Sequence, residues 1–169
     1  MANILYTCCT TIQAALQNSV TLTSSDTEVR AIEDAAIVIR KLGLRERDYE
    51  VGHLSEAMPG ILIIPGEAKS PPEAGTDQSD DITYQIDLVI INKDNWLRED
   101  GLATYIQWQQ NIRQYFNGRI SGWPNETEGI VYQCWAVSSG SVNDWRWVNQ
   151  GEATLGVRLL LTSREPGGR

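Results

Sequence analysis

The run Ile82-Thr83-Tyr84-Gln85-Ile86-Asp87-Leu88-Val89-Ile90-Ile91 alternates almost without error. In an extended chain Ile82, Tyr84, Ile86, Leu88 and Ile90 point one way. Thr83, Gln85, Asp87, Val89 and Ile91 point the other. Period-two patterning over this length predicts a β-strand with one buried face. A second such run closes the chain, with Ala153, Leu155, Val157, Leu159 and Leu161 set against Thr154, Gly156, Arg158, Leu160 and Thr162. The two strands bracket an aromatic-rich amphipathic helix, and no catalytic motif accompanies this framework.

The other elements follow from spacing. Residues 3–18 read as a helix with Ile4, Ile12, Ala15 and Leu16 on one face, Asn3 as its cap and Asn18-Ser19 as its stop. Residues 26–42 read as a second helix, with Val29, Ile32, Ala36 and Ile39 at helical spacing and Gly43 at its end. The stretch Ala35-Ala36-Ile37-Val38-Ile39 offers a strand as the alternative to that helix. Residues 44–58 are charged and irregular. Ile61-Leu62-Ile63-Ile64, bounded by Pro59-Gly60 and Pro65-Gly66, reads as a buried strand. Residues 67–81 read as a long, acidic, proline-containing loop, of the kind that is functional or mobile in compact domains.

A helix over residues 97–117 presents Leu102, Tyr105, Ile106, Trp108, Ile112, Tyr115 and Phe116 as a wide apolar stripe, and Asn117-Gly118 is a left-handed stop. Residues 130–137 alternate as a further strand, and Trp145-Arg146-Trp147-Val148 reads as part of a returning one. The expected fold is α+β: an antiparallel or mixed sheet of about four strands, packed by the N-terminal and central helices. Residues 1–163 form one domain in this reading, with 164–169 as a flexible tail.

Composition narrows the function classes. The formal net charge is −8, from 22 acids and 14 bases. The surplus is spread along the chain, and no basic arm stands out, which disfavours a tight nucleic-acid binder. Cys8, Cys9 and Cys134 are odd in number and do not make a disulfide framework. Met1 to Ala15 lacks a basic start followed by an apolar core, and no apolar stretch approaches a membrane span.

Catalytic groups are scarce. His53 is the single histidine and lies in a charged irregular segment without a nucleophile turn beside it. Cys8-Cys9 with one distant cysteine does not have metal-ligand spacing, and helical cysteines read as small packing residues. Gly66-Glu67-Ala68-Lys69-Ser70 lacks the first glycine of a phosphate loop and runs into Pro71-Pro72. Asp77, Asp80 and Asp81 fail the EF-hand pattern and read as a solvated acidic loop. Asp87 marks a wet or interface face. No catalytic, cofactor-binding or metal residue is expected.

Six tryptophans remain: Trp96, Trp108, Trp123, Trp135, Trp145 and Trp147. Core packing, a subunit interface and a ligand-stacking platform are all open to them. Trp145 and Trp147 point to the same strand face around Arg146, and Trp123 precedes Pro124 in a loop. Tryptophan and arginine are enriched at interface hot spots, so these four residues are the interface candidates.

The layout resembles the tail terminator and head–tail joining proteins of tailed bacteriophages. The resemblance rests on element order: an N-terminal helix, a long-looped strand pair over 60–91, the helix over 97–117, and two late strands ending in Gly151-Glu152-Ala153-Thr154-Leu155-Gly156-Val157-Arg158-Leu159-Leu160-Leu161. It implies a small, non-enzymatic virion subunit, assembled in the host cytoplasm, that closes into a ring, usually a hexamer, at the neck. Its partners would be further copies of itself, the tail tube protein, and a head-completion or stopper protein. DNA would pass through the channel without tight binding, with Asp77, Asp80 and Asp81 as candidate lumen or partner residues. The competing reading is a small-ligand-binding or enzymatic α+β domain with an aromatic pocket, and a weaker third is an adaptor in a cellular complex.

Overall fold

A computed structural model describes residues 4–17, 32–39, 59–70, 75–76, 79–93, 99–126, 129–139 and 152–166. The elements are α1 (Ile4–Gln17), a 3-10 turn (Asp34–Ala36), β1 (Ile37–Ile39), β2 (Gly60–Lys69), β3 (Gly75–Thr76), β4 (Ser79–Lys93), α2 (Glu99–Phe116), β5 (Asn125–Glu126), β6 (Gly129–Ser139) and β7 (Glu152–Pro166). All strands join one sheet in the order β1-β2-β4-β7-β6-β5, with β3 beside the start of β4. β1 runs parallel to β2 and every other pairing is antiparallel, so the sheet is mixed. The fold is α+β, as expected. The strand number is higher than about four, because β1 adds itself to β2 and two short ladders flank β4 and β6.

Both helices cover the same face. α1 has no proline or glycine to interrupt it, and Ile4, Cys8, Ile12 and Leu16 recur every fourth residue, all buried. Gln13 Nε2 donates to Ile37 O at 2.8 Å and Gln17 Nε2 to Asp34 O at 3.1 Å, which fastens α1 over the β1 edge. α2 buries Tyr105, Trp108, Ile112 and Phe116. Its stripe is narrower than the sequence suggests, since Ile106 and Tyr115 are exposed. Under the helices lie Ile61, Ile63, Tyr84, Ile86, Leu88, Ile90, Val157, Leu159 and Leu161 in one apolar core. Each such side chain contributes about 1.5–3 kcal/mol by leaving water. The alternation of β4 and β7 is realised as read. Leu62, Val89 and Ile91 form a smaller buried cluster from the opposite parity.

Three expectations change. Residues 34–39 are a 3-10 turn and strand rather than part of a helix over 26–42. The triplet Ile37-Val38-Ile39 pairs with Ile61-Leu62-Ile63, and β-branched side chains suit that pleated, covered position. The span 67–81 is not one long loop: β2 continues to Lys69 and β4 begins at Ser79, because Ser79, Asp80 and Asp81 pair with Pro166, Glu165 and Arg164. Arg164, Glu165 and Pro166 are correspondingly strand residues of β7 rather than tail. His53, Asp77, Trp96, Trp145, Arg146 and Trp147 lie outside the described residues.

Candidate functional site

The surface chemistry concentrates on the sheet face that the helices leave bare, at β6 and β7. Cross-strand pairing fixes its members. Arg158, Leu160, Thr162 and Arg164 alternate with the buried Val157, Leu159, Leu161 and Ser163 on β7. Opposite them on β6 stand Val137, Trp135, Gln133 and Ile130. The register shifts between Val131 and Gln133, a bulge that accommodates Tyr132 as an extra residue. Ile130, Tyr132, Trp135 and Val137 are all exposed, Trp135 at 52%. This is a contiguous apolar strip of the kind that marks an interaction surface.

Two bidentate ion pairs border the strip. Arg158 donates from Nε to Asp87 Oδ1 at 2.8 Å and from Nη2 to Oδ2 at 3.1 Å. Arg164 donates to Asp81 Oδ1 at 2.9 Å and Oδ2 at 3.1 Å, and Tyr132 Oη donates to the same Oδ2 at 3.1 Å. Hydrogen bonding from Arg164 holds the Asp81 carboxyl below its ordinary value, aided by Tyr132. The Arg164 guanidinium also lies 5.5 Å from the centre of the Tyr132 ring. Asp81 is thus a compensated charge in a strand. Asp80, beside it, pairs with Glu165 and Gly75 across the ladders. Asp87 is not left in water either, since Arg158 covers it.

Trp123 takes a different place from an interface anchor. It is 8% exposed, its ring packs 5.9 Å from Phe116, and its Nε1–H donates to Arg119 O at 2.8 Å. The indole supports the surface turn above it from within. Trp108 is core, edge-on to Tyr105 at 5.3 Å. The turn carries Arg119, 4.6 Å above the ring of Tyr115, which the sequence placed in the apolar stripe of α2, and the exposed Ile120, which sequence reasoning passed over. The signals available were Asn117-Gly118 and Gly122, which announce a tight turn but not what it displays.

Nucleophilic chemistry finds no setting among the described residues. Cys8 and Cys134 are buried and their thiols are pushed up to about 12, Cys9 to about 11. Desolvation is the main cause, and Cys8 is raised further by its neighbours Cys9 and Cys134. Thiols held neutral in this way are unreactive packing groups. Among the described residues no three His, Cys, Asp or Glu side chains are placed to hold a metal ion, and no helix is long and apolar enough to cross a membrane.

The edge of β6 is also spoken for in part. Gly118 N donates to Cys134 O at 2.9 Å, Asn117 Oδ1 accepts from Ala136 N at 3.2 Å, and Val131 N donates to Pro124 O at 3.2 Å. A strand whose outward groups are occupied in this way cannot extend the sheet into another molecule at those positions.

No protein-family model matches the chain, and no curated protein matches it. In fold it is similar to a chain of the solved virion of a native gene transfer agent particle. The identity is 11% and the TM-score 0.55, with 99% of this chain and 100% of the other covered.

Proposed function

We propose that the protein is a structural subunit of a phage-like virion, and that its place is the head–tail junction. There it closes with copies of itself into a ring, a hexamer, that terminates the tail tube and joins it to the head. The observation that carries this reading is the end-to-end fold likeness to a virion chain, with neither chain leaving a domain unmatched. The chemistry supports it: the described residues assemble a broad apolar strip and braced surface charges, and no reacting group. The pocket reading draws no support from the three described tryptophans, since Trp108 and Trp123 lie in the core and Trp135 on the bare face.

In this role the partners are the tail tube protein below and a head-completion or stopper protein above. DNA passes through the channel without tight binding, which suits an acidic chain. Asp80 and Asp81, with Asp77, stay the candidates for its lining. Negative-stain electron microscopy of the purified protein at high concentration should show closed rings, and sedimentation should show one large species. A monomer at every concentration would overturn the ring.

A further inference from the structure

The helix layer shows water a surface almost without charge. The stretches 4–17 and 101–118 hold one ionic side chain, Arg113, in a chain that is 21% charged overall. A helix packed on one side ordinarily carries charged residues on the other. Here Tyr6 on α1 is exposed, and on α2 the exposed side chains include Ile106, Gln107, Gln110, Gln114 and Tyr115. Gln107 Nε2 donates to Asn111 Oδ1 at 2.8 Å, and Tyr115 stands edge-on to Phe116 with ring centres 4.9 Å apart. Loss of charge with retention of aromatic side chains distinguishes the middle of a protein interface from the rest of a surface.

The opposite side of the same strands has the same character. α2 packs on β6 and β7, where Gln109 Nε2 donates to Gly156 O at 2.6 Å. Behind those two strands lies the exposed strip of Ile130, Tyr132, Trp135 and Val137. β6 contains no ionic residue from Gly129 to Ser139. The charges that β7 adds are already compensated, Arg158 by Asp87 and Arg164 by Asp81, so covering this face strands no lone charge away from water.

Charge selects the occupant. A chain at −8 repels its own copies in general, and close approach is cheapest where charge is locally absent or paired. The α2 face and the β6–β7 strip are both such places, and they complete each other. A bare apolar sheet face is covered by helices, as the other face of this sheet is. An uncharged helix face displaying Ile106 and Tyr115 calls for an apolar floor. A foreign partner would have to bring one of these surfaces, whereas a second copy brings both. They lie on opposite sides of one sheet, so contact between them is heterologous and repeats from copy to copy, which is how rings close.

We propose that the α2 face of one copy docks on the β6–β7 strip of the next, with Ile106 and Tyr115 on one side of the contact and Trp135 and Val137 on the other. The inference rests on the ring reading for its second copy and names the surfaces that meet. Sedimentation velocity over a concentration series, on two variants and on their mixture, tests it. Ile106→Glu spoils the helix face and leaves the strip intact, and Trp135→Glu does the reverse. Each alone should weaken association at least about tenfold, with the circular dichroism of the subunit unchanged. Mixed in equal amounts they should form a dimer and nothing larger. The intact strip of the first meets the intact helix face of the second, and the spoiled surfaces end the series. Ala68→Glu adds the same charge at an exposed position of β2 and should stay within about threefold of wild type. If a variant loses its native circular dichroism, Tyr115→Glu or Val137→Glu spoils the same surface in its place. Wild-type rings together with equally good rings from either variant would overturn the docking and leave the ring standing. A stable dimer of one variant alone would mean that like pairs with like, and a mixture that stays monomeric would mean that the two surfaces do not meet; each overturns the proposal. A wild-type monomer at all concentrations overturns both the docking and the ring.

Discussion

The two faces of the sheet treat ionisable groups in opposite ways. The helix-covered face keeps its thiols and the Tyr84 hydroxyl neutral: Cys8 and Cys134 are pushed up to about 12, and Tyr84 is raised by burial and by donating to Glu165 Oε1 at 2.6 Å. The bare face keeps its groups charged, with Asp87 and Asp81 each gripped bidentately by an arginine. The same strands, β4 and β7, supply residues to both. The difference teaches that solvent access, not residue order, decides whether a titratable group serves packing or recognition here. Desolvation penalises charge on one side, while paired charge in contact with water is tolerated on the other.

The comparison can be broken at high pH first, where the largest effect is expected. A thiol whose folded pKa is raised stabilises fully below the unfolded value, near 9, and loses that contribution as pH rises toward about 12. Unfolding free energy should therefore fall steeply between pH 9 and 12. Cys134→Ala should make that slope shallower whatever its offset at neutral pH, as read by denaturant titration. An identical slope would mean that the covered face does not hold its thiols neutral.

A matched substitution sharpens the comparison at intermediate size. Val157 is fully buried under the helices, and Val137 is exposed on the neighbouring strand. Val157→Thr should cost about 1–3 kcal/mol, since its hydroxyl enters an apolar core without a partner. Val137→Thr should stay within about 0.5 kcal/mol in the isolated subunit. Equal costs in urea denaturation would contradict the assignment of faces.

The smallest effect lies on the bare face at low pH. Asp81 has a folded pKa below its ordinary 3.8, so its contribution is present above that value and lost as pH falls through the lower folded one. Asp81→Asn should flatten the stability curve below about pH 4 and change little at neutral pH in high salt. Its acid slope staying the same as wild type would remove the Arg164 pair from the account.

Reading from sequence succeeded where periodicity is long. Ile82 to Ile90 and Val157 to Leu161 lie on the helix side as their alternation requires, and Ile12 and Ile112 face the core from their helices. It failed where a partner strand decides. Ile37-Val38-Ile39 is too short to choose between helix and strand by spacing, and the parallel partner Ile61-Leu62-Ile63 makes the choice. Ser79 to Asp81 look like loop residues until Arg164 to Pro166 pair with them. The exposed apolar surface was only half legible. Trp135 was visible as one of six tryptophans, but Ile120 carries no local signal.

The sequence by itself determined the mixed α and β elements, the two-sided strands, the acid excess and the scarcity of catalytic groups, because these are set by residue type and by neighbours along the chain. The tertiary structure decided which tryptophans are core, which carboxylates are compensated, and which turn is braced. Those outcomes depend on contacts between residues far apart in sequence: Arg164 with Asp81, Arg158 with Asp87, and Gly118 with Cys134. Long-range pairing of that kind leaves no period to read.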